Sequence, residues 1–231
     1  MLREIDLAEV SDGRLYSSND MAKTDCKGCI GCSDCCRGMG ASIVLDPLDS
    51  FRISEGLHVS FEQLLSDSFE LGVVDGLILP HLKMAGPKEA CTFLTEEGRC
   101  SIHSFRPGIC RIFPLGRFYE KNSFQYFLQV HECPKTDKSK VKIKKWIDTP
   151  NLKTYETYIS DWHYFLKHMQ DYILSQNFAD TSDSNTEDDG IAKTLSMHVL
   201  KQFYLTPYQS EEDFYPQFYE RLEKSRLFFH I

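Results

Sequence analysis

The spacing of apolar residues predicts that the second half of the chain is helical. From Thr149 to about Gln176 they recur in steps of three and one, the period of an amphipathic helix whose aromatic face forms part of a core. These positions are Leu152, Tyr155, Tyr158, Ile159, Trp162, Phe165, Leu166, Met169, Tyr172 and Ile173. Segments 191–205 and 212–229 are also predicted to be helices. Before the first of these, segment 180–189 carries five acidic residues with Ser, Thr and Asn, which predicts a flexible loop.

The first half of the chain is predicted to contain shorter elements. Segment 60–63 reads Ser-Phe-Glu-Gln, the form of a capping box at a helix start. Segment 71–82 is rich in Val, Ile and Leu around an Asp-Gly pair, which predicts a hairpin with a tight turn. We expect a short buried strand at 42–46, a helix starting at Pro47 and a strand at 124–130. The first 24 residues show no clear period and are expected to lie over the surface.

Composition indicates a globular protein. The 231 residues are 42% hydrophobic and 13% aromatic, which suits one large or two small domains. No run approaches 18 consecutive apolar residues, so no membrane span is expected. The opening Met-Leu-Arg-Glu-Ile-Asp lacks the apolar stretch of a secretory signal, and we expect a cytoplasmic protein with reduced thiols. A formal charge of −8 disfavours nucleic acid as a partner.

Cysteine density is the strongest chemical signal in the chain. Five of the nine cysteines fall within residues 26–36, in the sequence Cys-Lys-Gly-Cys-Ile-Gly-Cys-Ser-Asp-Cys-Cys. In a reduced protein, repeated C-x-x-C spacing favours a metal site over disulfides or structural thiols, because two intervening residues let both thiolates face one ion. Four more cysteines follow at 91, 100, 110 and 133, and none comes later. Three arginines near them could offset thiolate charge: Arg37, Arg106 and Arg111.

The number of thiols leaves two kinds of centre open. Side chains of the adjacent Cys35 and Cys36 diverge, so both rarely bind one ion. Setting Cys26 aside leaves eight thiols, enough for two four-cysteine sites or one polynuclear cluster: Cys29, Cys32, Cys35, Cys36, Cys91, Cys100, Cys110 and Cys133. Zinc and iron–sulfur clusters share this ligand type. Crowding of the thiols favours iron–sulfur slightly. His103 and His131 could replace a thiolate, but with eight cysteines available they are expected to be structural.

The cysteine spacing can be compared with the motifs of known iron–sulfur proteins. Residues 26–36 contain the bacterial ferredoxin run C-x2-C-x2-C-x3-C, but Arg37 stands where that run has proline, and no second copy follows. A simple ferredoxin is therefore not expected. The radical-SAM spacing C-x3-C-x2-C is absent, because Met39 occupies its third position.

A longer set of motifs resembles the YkgJ-type, or CxxCxxCC, cysteine-cluster family, described as candidate zinc- or iron-chelating domains. The resemblance spans about residues 25–135. It is carried by Cys29-x-x-Cys32-x-x-Cys35-Cys36, Cys91-x-Phe-Leu, Gly98-x-Cys100-x-Ile-His and Arg106-Pro-x-x-Cys110-Arg-x-Phe-Pro. It implies a chelating domain, and family labels include iron–sulfur oxidoreductase and flagellin lysine N-methylase. Cys26 is an addition to the family pattern and is expected to be peripheral.

These observations predict an α+β protein. We expect an N-terminal segment at 1–19, a cysteine-cluster metal-binding domain at 20–146 with short strands and helices, and a helical extension at 147–231 packed on it. The predicted function is binding of an iron–sulfur cluster or zinc through cysteine thiolates, with redox activity as an extension. The alternatives are a zinc-stabilised, non-catalytic interaction module with an unidentified protein partner, and an enzyme resembling a protein lysine N-methylase. The lysine-rich segment 135–145 is expected to be a solvated face.

Overall fold

The computed structural model describes residues 6–27, 32–179 and 188–229, with side chains to 175 and again from 190. Its helices are α1 (Leu7–Val10), α2 (Pro47–Leu57), α3 (Phe61–Asp67), α4 (Gly108–Ile112), α5 (Ile143–Ile147), α6 (Leu152–Ala179), α7 (Asp188–Leu200) and α8 (Phe214–Phe229). Its strands are β1 (Ser11–Tyr16), β2 (Met21–Asp25), β3 (Phe69–Val74), β4 (Leu77–Leu82), β5 (Met84–Ala85), β6 (Ala90–Cys91), β7 (Leu115–Glu120), β8 (Ser123–Gln129) and β9 (Ser139–Lys142). The predicted α+β class, with its helical C-terminal region, is confirmed.

The sheets are small and antiparallel. One has three strands in the order β1-β8-β7, and three further pairs join β2 to β9, β3 to β4 and β5 to β6. The predicted hairpin at 71–82 is confirmed as β3 and β4, with Asp75 and Gly76 at positive φ in its turn. The capping box at Ser60 and Gln63 is confirmed at the start of α3. No helix among the described residues is long and apolar enough to cross a membrane.

The expectation that the first 24 residues lie over the surface is wrong. Strands β1 and β2 pair with β8 and β9, and Tyr16, Ala22 and Thr24 are buried. A smaller core forms where Tyr16 and Ala22 pack with Ile112, Leu115, Tyr126, Leu128, Ile143 and Ile147. The partner strands lie more than 100 residues away in sequence. Short strands with irregular register therefore form through distant pairing, which local periodicity does not reveal.

Segment 42–46 forms less regular structure than predicted. It makes a single bridge between Val44 and His81 of β4, and Leu45 N–H donates to the Pro80 carbonyl at 2.9 Å. Ile43 and Leu45 are buried as expected. Asp46 then caps α2 with a reciprocal capping box, and Pro47 occupies the first turn, as predicted. Helix α2 therefore starts too soon after this contact for a full strand to form.

The C-terminal helices share one hydrophobic core with the cysteine-bearing half. Side chains of α6, α7 and α8 pack with residues of α2, α3, β4 and the segment around Ile102. Rings of Tyr158 and Phe218 meet edge-on at 4.6 Å between centroids, and those of Trp162 and Phe203 at 4.9 Å. Hydrogen bonds join the same regions, since the Tyr204 hydroxyl donates to the Leu45 carbonyl at 2.8 Å. The predicted packed extension is thus present in the fold.

Two predicted segments differ in detail. The helix predicted at 191–205 ends as α7 at Leu200, and a π-helical turn, Lys201–Leu205, completes it. The predicted acidic loop at 180–189 lies mostly outside the described residues. Within the lysine-rich segment, β9 and α5 carry exposed lysines beside the buried Ile143 and Ile147, as expected for a solvated face.

Candidate metal centre

Five cysteines from four separate stretches of sequence line one cavity of about 300 Å³. They are Cys35, Cys36, Cys91, Cys100 and Cys110. The side chains of Met39, Met84, Ile109 and Phe113 complete an apolar wall, and Arg106, Gln129 and Glu132 add polar groups. Thiol groups separated by as many as 75 positions in sequence thus face a shared space.

The first stretch reaches the cavity through a short helical turn. Asp34–Cys36 forms a single 3₁₀ turn, and the chain then pairs with the hairpin of β5 and β6 through a bridge between Arg37 and Ala90. Gly38 N–H also donates to the Glu89 carbonyl at 2.9 Å, with Gly38 at φ +64°. These contacts set the cysteine pair beside Cys91 at the end of β6.

The second stretch is a tight loop that returns Cys100 to the same place. Leu94 and Cys100 form a bridge, Thr95 N–H donates to the Arg99 carbonyl at 2.8 Å, and Gly98 N–H donates to the Thr95 carbonyl at 2.9 Å. Gly98 has φ +72°, a left-handed conformation that glycine adopts without steric cost. The tight turn at Glu97 and Gly98 therefore brings Cys91 and Cys100 together.

Helix α4 delivers Cys110 by packing closely against α6. Gly108 N–H donates to Asp49 Oδ1 at 2.8 Å, and a Cβ on Gly108 would overlap the Tyr155 hydroxyl. Only glycine permits this approach. Pro107 sits just before the helix, at its N-cap position. The position of Cys110 thus depends on both α2 and α6.

The surroundings of four of these thiols, Cys35, Cys91, Cys100 and Cys110, favour the protonated form. A hydrogen bond with the Cys36 thiol, whose sulfur is 4.0 Å away, and burial raise the pKa of Cys35 well above its ordinary value. Burial also raises the pKa of Cys91, Cys100 and Cys110. The Arg106 guanidinium partly opposes the shift at Cys35 and Cys100. Deprotonating several of these thiols together therefore requires a bound positive charge.

The cysteine sulfurs are suitable ligands for a thiophilic metal, but their side chains do not converge on a single coordination point. Among residues 6–27, 32–179 and 188–229, no three His, Cys, Asp or Glu side chains meet closely enough to hold an ion as they stand. The Cys35 and Cys36 sulfurs are separated by roughly the distance between thiolates on one tetrahedral zinc, for which Zn–S is about 2.3 Å. Soft sulfur donors in an apolar cavity suit zinc or iron–sulfur chemistry.

The remaining predicted ligands lie elsewhere or outside the described residues. Cys32 and Cys133 are half-buried and do not line the cavity, although Glu132 next to Cys133 does. Cys29 lies outside the described residues. Cys26 follows β2, is half-buried and does not line the cavity.

The flanking polar side chains have varied partners. The Arg106 guanidinium pairs with His103 Nε2 at 2.9 Å, and burial lowers the pKa of that imidazole. Arg37 donates from Nε to the Ser33 hydroxyl, and Arg111 donates to the Ser104 carbonyl. His131 is exposed and lies at a neighbouring cavity. Of the three predicted arginines, Arg106 is the one that lines the cysteine cavity.

Sequence reasoning missed Gln129 and Glu132 as cavity residues. Gln129 ends β8 and pairs with Ser11 of β1, so its place at the cavity follows from a long-range sheet contact. Glu132 directly precedes Cys133 in the sequence, and this adjacency to a predicted ligand is the feature that could have indicated its place at the cavity. The carboxylate adds negative charge beside the thiols.

Comparison with known proteins agrees with the cysteine-lined geometry. The family model CxxCxxCC, described as “Putative zinc- or iron-chelating domain”, matches residues 26–145, just over half of the chain. The matched range includes all nine cysteines. No curated protein and no solved structure gives a significant match. The chain belongs to the CxxCxxCC family, and its role is to bind metal.

Proposed function

We propose that this protein binds an iron–sulfur cluster through cysteine thiolates. The observation that carries the proposal is the meeting of Cys35, Cys36, Cys91, Cys100 and Cys110 around one cavity. Cysteines used only as small apolar side chains have no reason to gather from four stretches of sequence. Cys29, Cys32 and Cys133 complete the proposed ligand set.

The size of the cavity favours a cluster over a single zinc ion. A volume of about 300 Å³ is many times the roughly 10–15 Å³ that one water needs. Four thiolates at about 2.3 Å from zinc close around the ion and leave no such space. A cavity lined by more than four thiols suits a centre with several metal and sulfide atoms.

The residues around the thiols suit a negatively charged centre. The Arg106 guanidinium favours the ionised forms of Cys35 and Cys100, and the apolar wall around them limits access of water. When bound, an iron–sulfur cluster supplies one-electron transfer chemistry. Redox activity is therefore part of the proposal.

Purification under anaerobic conditions tests this function directly. We expect iron and acid-labile sulfide in about equal amounts, and a visible absorption band that dithionite bleaches reversibly. Zinc bound without sulfide would reject the cluster and favour the zinc-stabilised interaction module. Protein that binds neither metal after reconstitution would contradict both readings.

A further inference from the structure

A second and larger cavity adjoins the one lined by cysteines. Its volume is about 560 Å³, within the range of small-molecule sites. Ile109, Leu115, Gln129 and Glu132 line both cavities, so only a thin wall of side chains separates them. None of the eight cysteines that the structure describes lines the second cavity.

Arg117 is the single Arg or Lys among the described residues that line this second cavity. It lies on β7, and its Nη2 donates to the Tyr155 hydroxyl at 3.0 Å. Its guanidinium carbon lies 5.5 Å from the Phe124 ring centroid. Its Nε is buried and has no hydrogen-bond partner in the described structure. A half-buried cation whose buried Nε–H has no acceptor calls for an anionic partner.

No described carboxylate meets that need. Within residues 6–27, 32–179 and 188–229, no Asp or Glu oxygen approaches an Arg117 nitrogen within 4.0 Å. Asp46 and Asp49 line the same cavity, but burial raises the pKa of both carboxyl groups, and each already accepts hydrogen bonds from other groups. Asp46 Oδ1 accepts from Asp49 N–H and from the Tyr158 hydroxyl, both at 2.9 Å, and Asp49 Oδ1 accepts from Gly108 N–H.

The rest of the cavity suits an apolar body. Val44, Leu79, Ile159, Trp162 and Leu166 supply aliphatic and aromatic surface. On another side, the His163 imidazole stacks on the Tyr119 ring with centroids 3.6 Å apart, and burial lowers the pKa of His163 to about 4. That imidazole is therefore neutral near pH 7, and Arg117 remains the main source of positive charge.

We propose that this cavity binds a small organic carboxylate, with its charged end on Arg117 and its apolar part against Trp162 and Leu166. A carboxylate matches the planar fork of a guanidinium through two parallel hydrogen bonds. A phosphate dianion carries twice the charge of a carboxylate, and a single guanidinium offsets only half of it. This binding goes beyond the proposed metal function and does not depend on it.

The test is a titration of the purified full chain with defined carboxylates, followed by ligand-observed NMR. The probes are acetate, hexanoate, phenylacetate and 4-phenylbutyrate, with the methyl esters of the last three. We expect the larger acids to bind more tightly than acetate and more tightly than their esters. Arg117→Gln should weaken their binding about tenfold or more, because charge-assisted hydrogen bonds are lost. Arg14→Gln, an exposed arginine on β1, is the matched control and should bind as the wild type does.

A second variant covers the case in which Arg117→Gln does not fold. Leu166→Trp keeps the guanidinium and fills the cavity, so it should lose binding of 4-phenylbutyrate while circular dichroism stays native. Wild-type protein that binds none of the acids, or binds esters equally well, would overturn the proposal. So would tighter binding of phenyl phosphate than of phenylacetate, or unchanged binding by both folded variants. Iron and sulfide content plays no part in this readout, so a failed metal proposal leaves the result interpretable.

Discussion

The two halves of the molecule are stabilised in different ways. In the helical half, Tyr158, Phe165, Phe203 and Phe218 are at most 1% exposed and contact one another ring to ring. In the cysteine half, the thiols of Cys35, Cys36, Cys100 and Cys110 stay half-buried beside a cavity, on short turns and two-residue strands. The helical half is packed, whereas the cysteine half keeps open space.

This difference indicates that the helices serve as the scaffold on which the cysteine segments are placed. Tyr155 of α6 contacts Gly108 at the start of α4, and Tyr158 of α6 accepts a hydrogen bond from Leu48 N–H of α2. These contacts hold α4 and α2 against α6. Short segments rich in turns do not bury enough surface to hold such an arrangement alone. We therefore expect damage to the helices to reach the cysteine cavity, and expect ligand changes to leave the helices largely intact.

Removing the helices should have the largest effect. Truncation after Lys145 exposes the part of the shared core formed by Ile43, Leu45, Ile53 and Leu79, because its covering side chains come from α6, α7 and α8. We expect the 1–145 fragment to be insoluble or poor in metal, as measured by expression, circular dichroism and metal analysis. A soluble, fully metallated fragment would show that the cysteine half is an independent module.

A single large-to-small change tests the packed half. Phe218→Ala should lower the free energy of unfolding by about 3–5 kcal/mol, because it leaves a cavity among buried rings. Phe228→Ala on the same helix is the matched control, since Phe228 is 66% exposed. Its unfolding midpoint in urea should stay close to that of the wild type. Equal losses from the two variants would argue against the shared core.

The contact between the two halves can also be weakened by removing a single hydroxyl group, which leaves the packing of the rings unchanged. Tyr158 accepts from Leu48 N–H at 3.0 Å and donates to Asp46 Oδ1 at 2.9 Å. Tyr158→Phe leaves the buried N–H without its partner and should cost about 1–3 kcal/mol of unfolding free energy. Tyr172→Phe, at a residue 43% exposed, should cost far less. Thermal melts of the two variants measured side by side decide the point.

Acidification should destabilise the protein through His163. Burial lowers its pKa from 6.5 to about 4, so the unfolded chain binds a proton first as the pH falls. The contribution of His163 to stability is therefore present above about pH 6.5 and is lost between there and about pH 4. His163→Gln should show a smaller drop in melting temperature across this window than the wild type. A parallel drop in both proteins would show that other groups account for the acid sensitivity.

Local sequence signals predicted the elements that local chemistry determines. The capping box at Ser60, the Asp-Gly hairpin and the amphipathic period of α6 depend on neighbouring residues, and the structure has each of them. The buried strands β1 and β2 were missed because their partners lie more than 100 positions away. Arg117 gave no signal for a related reason. The role we propose for it rests on a buried Nε without a partner and on its place at a cavity, which only tertiary structure reveals.

The cysteine motifs named the chemistry but not the arrangement. The sequence spacing of the cysteines does not predict that Cys91, Cys100 and Cys110 share a cavity with Cys35, because separate turns and helices bring them there. Nor could it separate these thiols from Cys26, which lies in the same dense run but away from the cavity. Position at the cavity is the basis on which we propose Cys35, Cys36, Cys91, Cys100 and Cys110 as ligands. Cys29, Cys32 and Cys133 are proposed from the cysteine motifs in the sequence.

The metal content of two matched variants tests this central claim most directly. Cys100→Ser removes a thiol that lines the cavity, and Cys26→Ser removes one that does not. After anaerobic purification, we expect Cys100→Ser to lose most of its bound metal and to melt at a lower temperature, because thiolate binding is coupled to folding. Cys26→Ser should retain most of the wild-type metal. Equal loss from both variants, or greater loss from Cys26→Ser, would contradict the account and point to the ferredoxin-like run as the ligand set.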